Sequence, residues 1–554
     1  MSLAGIPLGY ALDEFLGLFL MSCFDIAHYI FNYFINKMAY DFKGAREQAK
    51  ENSAQHIKET SLIYQMKFLM PRFTFLSSLF CITSIIVVVF LVVVTCTSIT
   101  NKFPHFILLI LQHHYHSHFA KALVPKYSEV SLPSPKGPTI ADPHLKTQVI
   151  FRGLKYPTSM AFLGPNDILV TEKDAGTVRR IVNGTQLQQP LLNVSVATYG
   201  HRGMLGIAIA PHPSPTPAHR NPNVNHNNIT TSNEYIFLYY TQAQTHTSDD
   251  ITEGKQSTGN HLYRYELSDN KSKLVNPKLL LDLPAIPGAI GNGGKVIIGP
   301  DNNVYITIGD VGIKGHNTKA QNIQNGGEPD GTSGILTVDQ DGKPIKHGIL
   351  GNKFPLNLYF SYGIWNIFGL AFDPVTGVLW DTQIGLLFGD EINLVNPGFN
   401  SGYNKIDGIW LHGYSIDQTE KQHIAPVHPT DLVDFAGNGK YHPPQFTWFR
   451  KVVPTGIAFL NSDKLGNLYK NDMFVGDAKY GNIYHFKLNI QRTDLVLPPG
   501  AIGDGIANSY DSLNQIVFGR GFGGITDIKF NPYDGYMYIL AFDGAIYRIV
   551  VANK

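Results

Sequence analysis

Cysteine is scarce in this chain of 554 residues: there are three, Cys23, Cys81 and Cys96, all within the first hundred positions. Everything after them must be held by packing alone, without disulfides or a thiolate metal site. Charge of one sign is lacking too. A formal net charge of +1 with 16% charged residues gives no broad electrostatic footprint, which argues against nucleic acid as a partner. Helical periodicity is also missing from about residue 146 onward, where short apolar runs alternate with Gly, Pro, Asn and Asp.

The most regular stretch is Gly288 to Gly312, GAIGNGGKVIIGPDNNVYITIGDVG. A short strand, Lys295 to Ile298, meets the turn Gly299 to Asn302, then a second strand, Val304 to Ile308, and the acid Asp310. Such turn chemistry between runs too short for helices reads as a hairpin. Six segments open in this way: Pro157 to Phe162, Gly203 to Ala208, Gly294 to Ile298, Ile367 to Phe372, Thr455 to Phe459 and Gly524 to Phe530. Repeated antiparallel units with no helix between them must stack radially to bury both faces. The expectation is therefore an all-β, six-bladed β-propeller over residues 146–554, with Thr147 to Phe151 supplying a closing strand to the last blade.

The amino-terminal part is of a different kind. Phe15 to Ile35 is mostly apolar with Asp25, His28 and Asn32 on one stripe, so it either spans a membrane with a polar face or lies along its surface. Phe73 to Thr100 has no charged residue and exceeds the roughly twenty residues that a spanning helix needs. Lys43, Arg46, Lys50, Lys58, Lys67 and Arg72 precede it, against Lys102, Lys121 and Lys126 after it, which places the following domain on the extracytoplasmic side of a cell membrane. Met66 and Met70 precede the span, and a start at either would give a basic leader with a long apolar core. The expected organisation is a membrane-associated extension at 1–72, a transmembrane signal anchor at 73–100, a juxtamembrane linker at 101–145 and then the propeller. Sequons at Asn183, Asn193, Asn228 and Asn270 suit an exported domain.

The blocks YPTSMAFLGPNDILVTEKDAGTVRRI, RGMLGIAIAP, GGKVIIGPDNNVYITIGD, YGIWNIFGLAFDP, GDEINLVNPGFNSGYNK and GFGGITDI together resemble the glucose/sorbosone dehydrogenase family, across about Val149 to Val550. The resemblance implies a six-bladed propeller that oxidises an aldose at its anomeric carbon with pyrroloquinoline quinone and calcium. A histidine base, an aspartate that orients it, and cations around the quinone would share the work.

Matched residue by residue, the resemblance places the base at Gly291, which cannot accept a proton, and the orienting acid at Asp310. It places cofactor contacts at His201, Trp365, Asn366 and Lys479, with Trp365 standing where the family has arginine. Calcium would meet backbone carbonyls at Gly385 and Leu386. Asp390 and Glu391, with the loop Gly398 to Gly402, resemble a second, structural calcium site. Two readings follow: a quinoprotein sugar dehydrogenase with a rearranged site, or a non-catalytic extracellular propeller that binds a glycan or surface protein. A calcium-dependent lactonase is weaker, because no matching set of axial carboxylate and asparagine ligands is present.

Overall fold

A computed structural model describes residues 133–134, 136–211, 234–245, 258–312, 316–345, 348–386, 388–411 and 429–552. The expected spans at 15–35 and 73–100, nearly all of the linker before 139, and the sequon at Asn228 lie outside them. Among the described residues no helix is long and apolar enough to cross a membrane.

Each of the six repeat segments becomes the first strand of a sheet: Pro157–Gly164, Met204–Pro211, Val296–Ile298, Ile367–Phe372, Pro454–Phe459 and Ile525–Phe530. From each, the chain steps outward through antiparallel partners. In the second sheet these are Glu234–Gln242, Gly259–Leu267 and Leu274–Leu283, in that order. The six first strands touch one another in a closed cycle, each against the next and the last against the first. That arrangement is an all-β propeller.

Short β-branched runs form these strands because both of their faces are covered by neighbouring sheets. Val304–Ile308, VYITI, is buried at all five positions. Between the second and third sheets, Phe237 and Tyr239 pack with Val304, Ile306 and Leu336. Between the fourth and fifth, Trp380 and Trp448 pack with Val475 and Tyr484. Each such side chain contributes roughly 1.5–3 kcal/mol on burial, so the core lies between sheets and not inside any one of them. The turn at 299–303 forms as its composition dictates: Asn302 adopts a positive φ of 61°, and Asp301 Oδ1 accepts the Asn303 amide at 3.1 Å.

Two devices close the ring. Leu145–Arg152 lies antiparallel beside Ala545–Val551, with Leu145 opposite Val551 and Arg152 opposite Ala545. The sixth sheet is thus completed by chain that precedes the first. At the axis, the amine of Lys295 in the third sheet pairs with Asp527 Oδ1 in the sixth, both side chains being buried. Asp527 Oδ2 also accepts the Met160 amide and the Ser159 hydroxyl of the first sheet, each at 3.1 Å. One carboxylate therefore ties three sheets together, two of them opposite each other in the cycle.

Removing one partner of a buried pair strands the other charge, which costs about 3–5 kcal/mol. Lys295→Met should therefore lower the urea midpoint strongly, while adding Asp527→Asn to it should recover part of the loss. Equal stability for Lys295→Met and the wild type would show that the pair carries no strain across the axis.

Candidate functional site

The amino-terminal ends of the first strands, with the loops that lead into them, gather most of the residues singled out in the sequence. His201 precedes the second sheet's first strand, and its backbone amide donates to Ala289 O at 2.8 Å. Its ring Nδ1 lies 3.3 Å from the Gly291 amide and 3.4 Å from Asn366 Nδ2. A nitrogen that accepts from these amides leaves the proton on Nε2, so the imidazole presents an N–H outward. Burial, followed by the nearby cations Lys173 and Lys451, pushes His201 down from 6.5 to about 3, which keeps it neutral.

Gly291 adopts φ +71°, and a Cβ built there would sit 2.9 Å from Asp310 Oδ1. The position is thus both left-handed and pressed against the carboxylate. Asp310 is fully buried. Its amide donates to Trp365 O at 3.1 Å, its Oδ1 accepts the Gly312 amide at 3.1 Å, and its Oδ2 accepts the Tyr403 hydroxyl at 2.6 Å. Asn366 Oδ1 accepts the Gly293 amide at 3.0 Å, which joins the fourth sheet to the loop carrying Gly291.

Trp365 is buried in an apolar cluster with Ile290, Ile384, Leu386 and Tyr403. Its ring carries the amine of Lys451 at 5.3 Å from the centroid, and that amine also donates to Leu386 O at 3.3 Å. A cation therefore already stands on one of the two carbonyls that the resemblance assigns to calcium. Gly385 has no room for a side chain, because its Cβ would lie 1.7 Å from Phe388 O. The Lys479 amide donates to Val452 O at 3.2 Å, and its amine lies 5.3 Å over the Tyr480 ring.

A model of the family described as Glucose / Sorbosone dehydrogenase matches residues 154–540, more than half of the chain. The chain belongs to this family. It is 25% identical over 399 residues to aldose sugar dehydrogenase YliI of Escherichia coli, covering 72% of this chain and 90% of that one. It is 26% identical over 276 residues to quinoprotein glucose dehydrogenase B of Acinetobacter calcoaceticus, covering 47% and 52% respectively. Among solved structures, the apo form of the soluble aldose sugar dehydrogenase of Escherichia coli is similar, with a TM-score of 0.52 and 19% identity, covering 74% of this chain and all of that one. That last likeness speaks to the fold.

In this member of the glucose/sorbosone dehydrogenase family, the paired acids Asp390 and Glu391 do not face one site. Successive residues of a strand point to opposite faces. Asp390 turns to the amides of Gly385, Val452 and Val453, at 3.0, 2.7 and 2.8 Å, and so fastens the Gly385 loop. Glu391 turns the other way, accepting from Asn393 Nδ2 at 2.8 Å, Ser401 Oγ at 3.1 Å and the Gly408 amide at 2.8 Å. Asn393 Nδ2 also donates to Asp381 Oδ1 at 3.0 Å. Burial raises Asp381 to about 7; burial and the neighbouring Asp381 and Asp407 raise Glu391 to about 8. Carboxyl groups are therefore gathered at Glu391 and Asp381, on the side away from Asp390, where burial favours their protonated forms.

Sequence reasoning missed Lys173, Tyr403, Lys451 and Asp381. Lys173 and Tyr403 lie inside quoted blocks, so position along the chain was available while contact was not. Asp381 had one local signal: an acid at the centre of a strand that is buried throughout, Leu379–Gln383.

Because the folded state holds His201 neutral well below 6.5, the unfolded chain binds the extra proton as the solution is acidified. Stability contributed by this group is complete above 6.5 and is lost as pH falls toward about 3. The His201 ring signals should show no protonation step between pH 7 and 5 by NMR, and His201→Gln should flatten the acid loss of stability. A titration near the ordinary histidine value would contradict the burial described.

Proposed function

We propose that this protein is a quinoprotein aldose sugar dehydrogenase with a rebuilt proton path, in a six-bladed ring anchored to the cell membrane with the propeller on the extracytoplasmic side. The observation that carries it is the setting of His201, where a neutral imidazole is flanked by Lys173 and Lys451 beside the indole of Trp365. Such a site suits a planar, multiply anionic ring system. Trp365 Nε1 and Asn292 Nδ2 are buried donors without an acceptor among the described residues, and an oxygen-rich ligand would satisfy them. The residues therefore fit pyrroloquinoline quinone, the cofactor suggested by the quinoprotein relative, which when bound takes the hydride from the sugar's anomeric carbon.

The chain's own part is to orient the sugar and move its proton. Gly291 keeps its loop backbone close against Asp310 Oδ1, where even a Cβ would sit at 2.9 Å. In this reading Asp310 is the acceptor of the sugar's hydroxyl proton, with Tyr403 fixing its second oxygen. His201 Nε2–H and Lys451 hold ligand oxygens. A structural calcium ion would draw on Glu391, Asp381 and the Ser401 hydroxyl, in place of the Asn393 side-chain amide that now donates to both carboxylates. At the Leu386 carbonyl, Lys451 stands in for part of the charge that calcium would bring.

A second reading, a non-catalytic propeller that binds a glycan or surface protein, draws support from the apolar cluster of Ile290, Trp365, Ile384, Leu386 and Tyr403. Extracytoplasmic placement draws support from the charge asymmetry around 73–100 and from exposed sequon residues Asn183, Asn193 and Asn270.

Titration of the full-length protein with pyrroloquinoline quinone and calcium should show saturable binding, followed by sugar-dependent reduction of an artificial acceptor. Asp310→Asn should keep cofactor binding and cut turnover by about a hundredfold or more. Unchanged turnover would remove Asp310 as the base; no cofactor binding in the wild type would favour the non-catalytic reading. Protein from its natural host should lose mass on glycosidase treatment at Asn183, Asn193 or Asn270. Unmodified peptides at all three would count against export.

A further inference from the structure

The opposite end of the axis holds a second site. A cavity of about 400 Å³ is walled by the carboxyl-terminal halves of all six first strands, with Pro374, Asn461 and Pro532 from the following turns at its edge. That volume lies in the range of small-molecule sites. Its wall is a ring of apolar side chains, one from each sheet: Phe162, Ile209, Ile298, Phe372, Phe459 and Phe530. Into this wall the sixth sheet introduces one charged group, Lys529.

Lys529 stands two residues beyond Asp527 on the same strand and therefore on the same face. The two groups are differently provided for. Asp527 is spent on Lys295, Ser159 and Met160. The Lys529 amine forms no hydrogen bond or ion pair with a side chain among the described residues, and Lys295 nearby adds a like charge. Burial and Lys295 together push Lys529 down to about 8, against a smaller opposing pull from Asp527. An anion at the amine would relieve both costs.

We propose that this cavity is a binding site for a medium-chain apolar carboxylate, whose tail fills the ring of apolar side chains and whose head pairs with Lys529. A sugar is poorly served there, since the walls offer almost no polar side chains beyond Lys529 and Asn461. A cation is repelled by Lys529 and Lys295. The Lys295–Asp527 pair lies between this cavity and the loop bearing Gly291, because Lys295 directly precedes the strand Val296–Ile298. Occupancy here is thus independent of the cofactor reading above.

The test uses the full-length protein in lipid nanodiscs, titrated with octanoate, octanol and octylammonium. The readout is acetylation of Lys529 by acetic anhydride, followed by mass spectrometry. Octanoate should protect Lys529 saturably, while octanol and octylammonium should not. Isothermal titration of the Lys529→Met variant should show octanoate affinity reduced by roughly tenfold or more, the worth of a charged hydrogen bond. Equal protection by octanol, unchanged affinity in Lys529→Met, or no protection by octanoate would each overturn the proposal. Unfolding midpoints of Lys529→Met guard against misfolding: Lys529→Arg, which keeps the charge, should retain binding, and its failure to bind while folded would also count against the site.

Discussion

A buried lysine and a buried aspartate facing each other across the axis set the terms for the rest of this molecule. Six sheets packed face to face through apolar side chains have little reason to keep one spacing, since such packing is not directional. Lys295 and Asp527 add direction. The carboxylate can satisfy Lys295, Ser159 and the Met160 amide at once only when the third, sixth and first sheets stand at one distance from the axis. The pair also partitions the axis. On one side lie the loops that carry His201, Gly291 and Trp365; on the other lies an apolar chamber with a single amine.

Much of the fold was legible because a strand covered on both faces leaves a plain signature, a short β-branched run between turn residues. Val304–Ile308 and Ile525–Phe530 were found in this way, and so was the closing role of the run ahead of the first repeat. Site residues were placed less well, and the reason is geometric. Loops from different sheets converge at the axis, so His201 and Gly291, ninety positions apart, come within hydrogen-bonding distance without any local pattern to announce it. Lys451 reached the Leu386 carbonyl and the Trp365 face from the loop that leads into the fifth sheet. The neighbours Asp390 and Glu391 failed in the reverse sense, since adjacency along a strand means separation across it.

A glycine at the centre of the candidate site leaves the polar groups around it to satisfy one another. With glycine at 291, backbone conformation and not chemistry dominates that position: φ +71° and the nearness of Asp310 both resist a larger residue. The polar groups that remain are provided for in pairs, Asp310 with Tyr403 and His201 with the amides of Gly291 and Asn366. Charge around the imidazole then comes from Lys173 and Lys451, neither of which lies on a first strand.

The closing strand has a temporal side. Leu145 is made long before Val551, yet they are partners in one ladder. During synthesis Leu145–Arg152 must wait, with its edge unpaired, while five sheets form behind it. Contacts so distant along the chain make for slow closure, and an unpaired strand edge is a place where another chain can pair instead. The ring is finished only when Ala545–Val551 arrives to claim its partner, so that strand acts as a check on the whole domain.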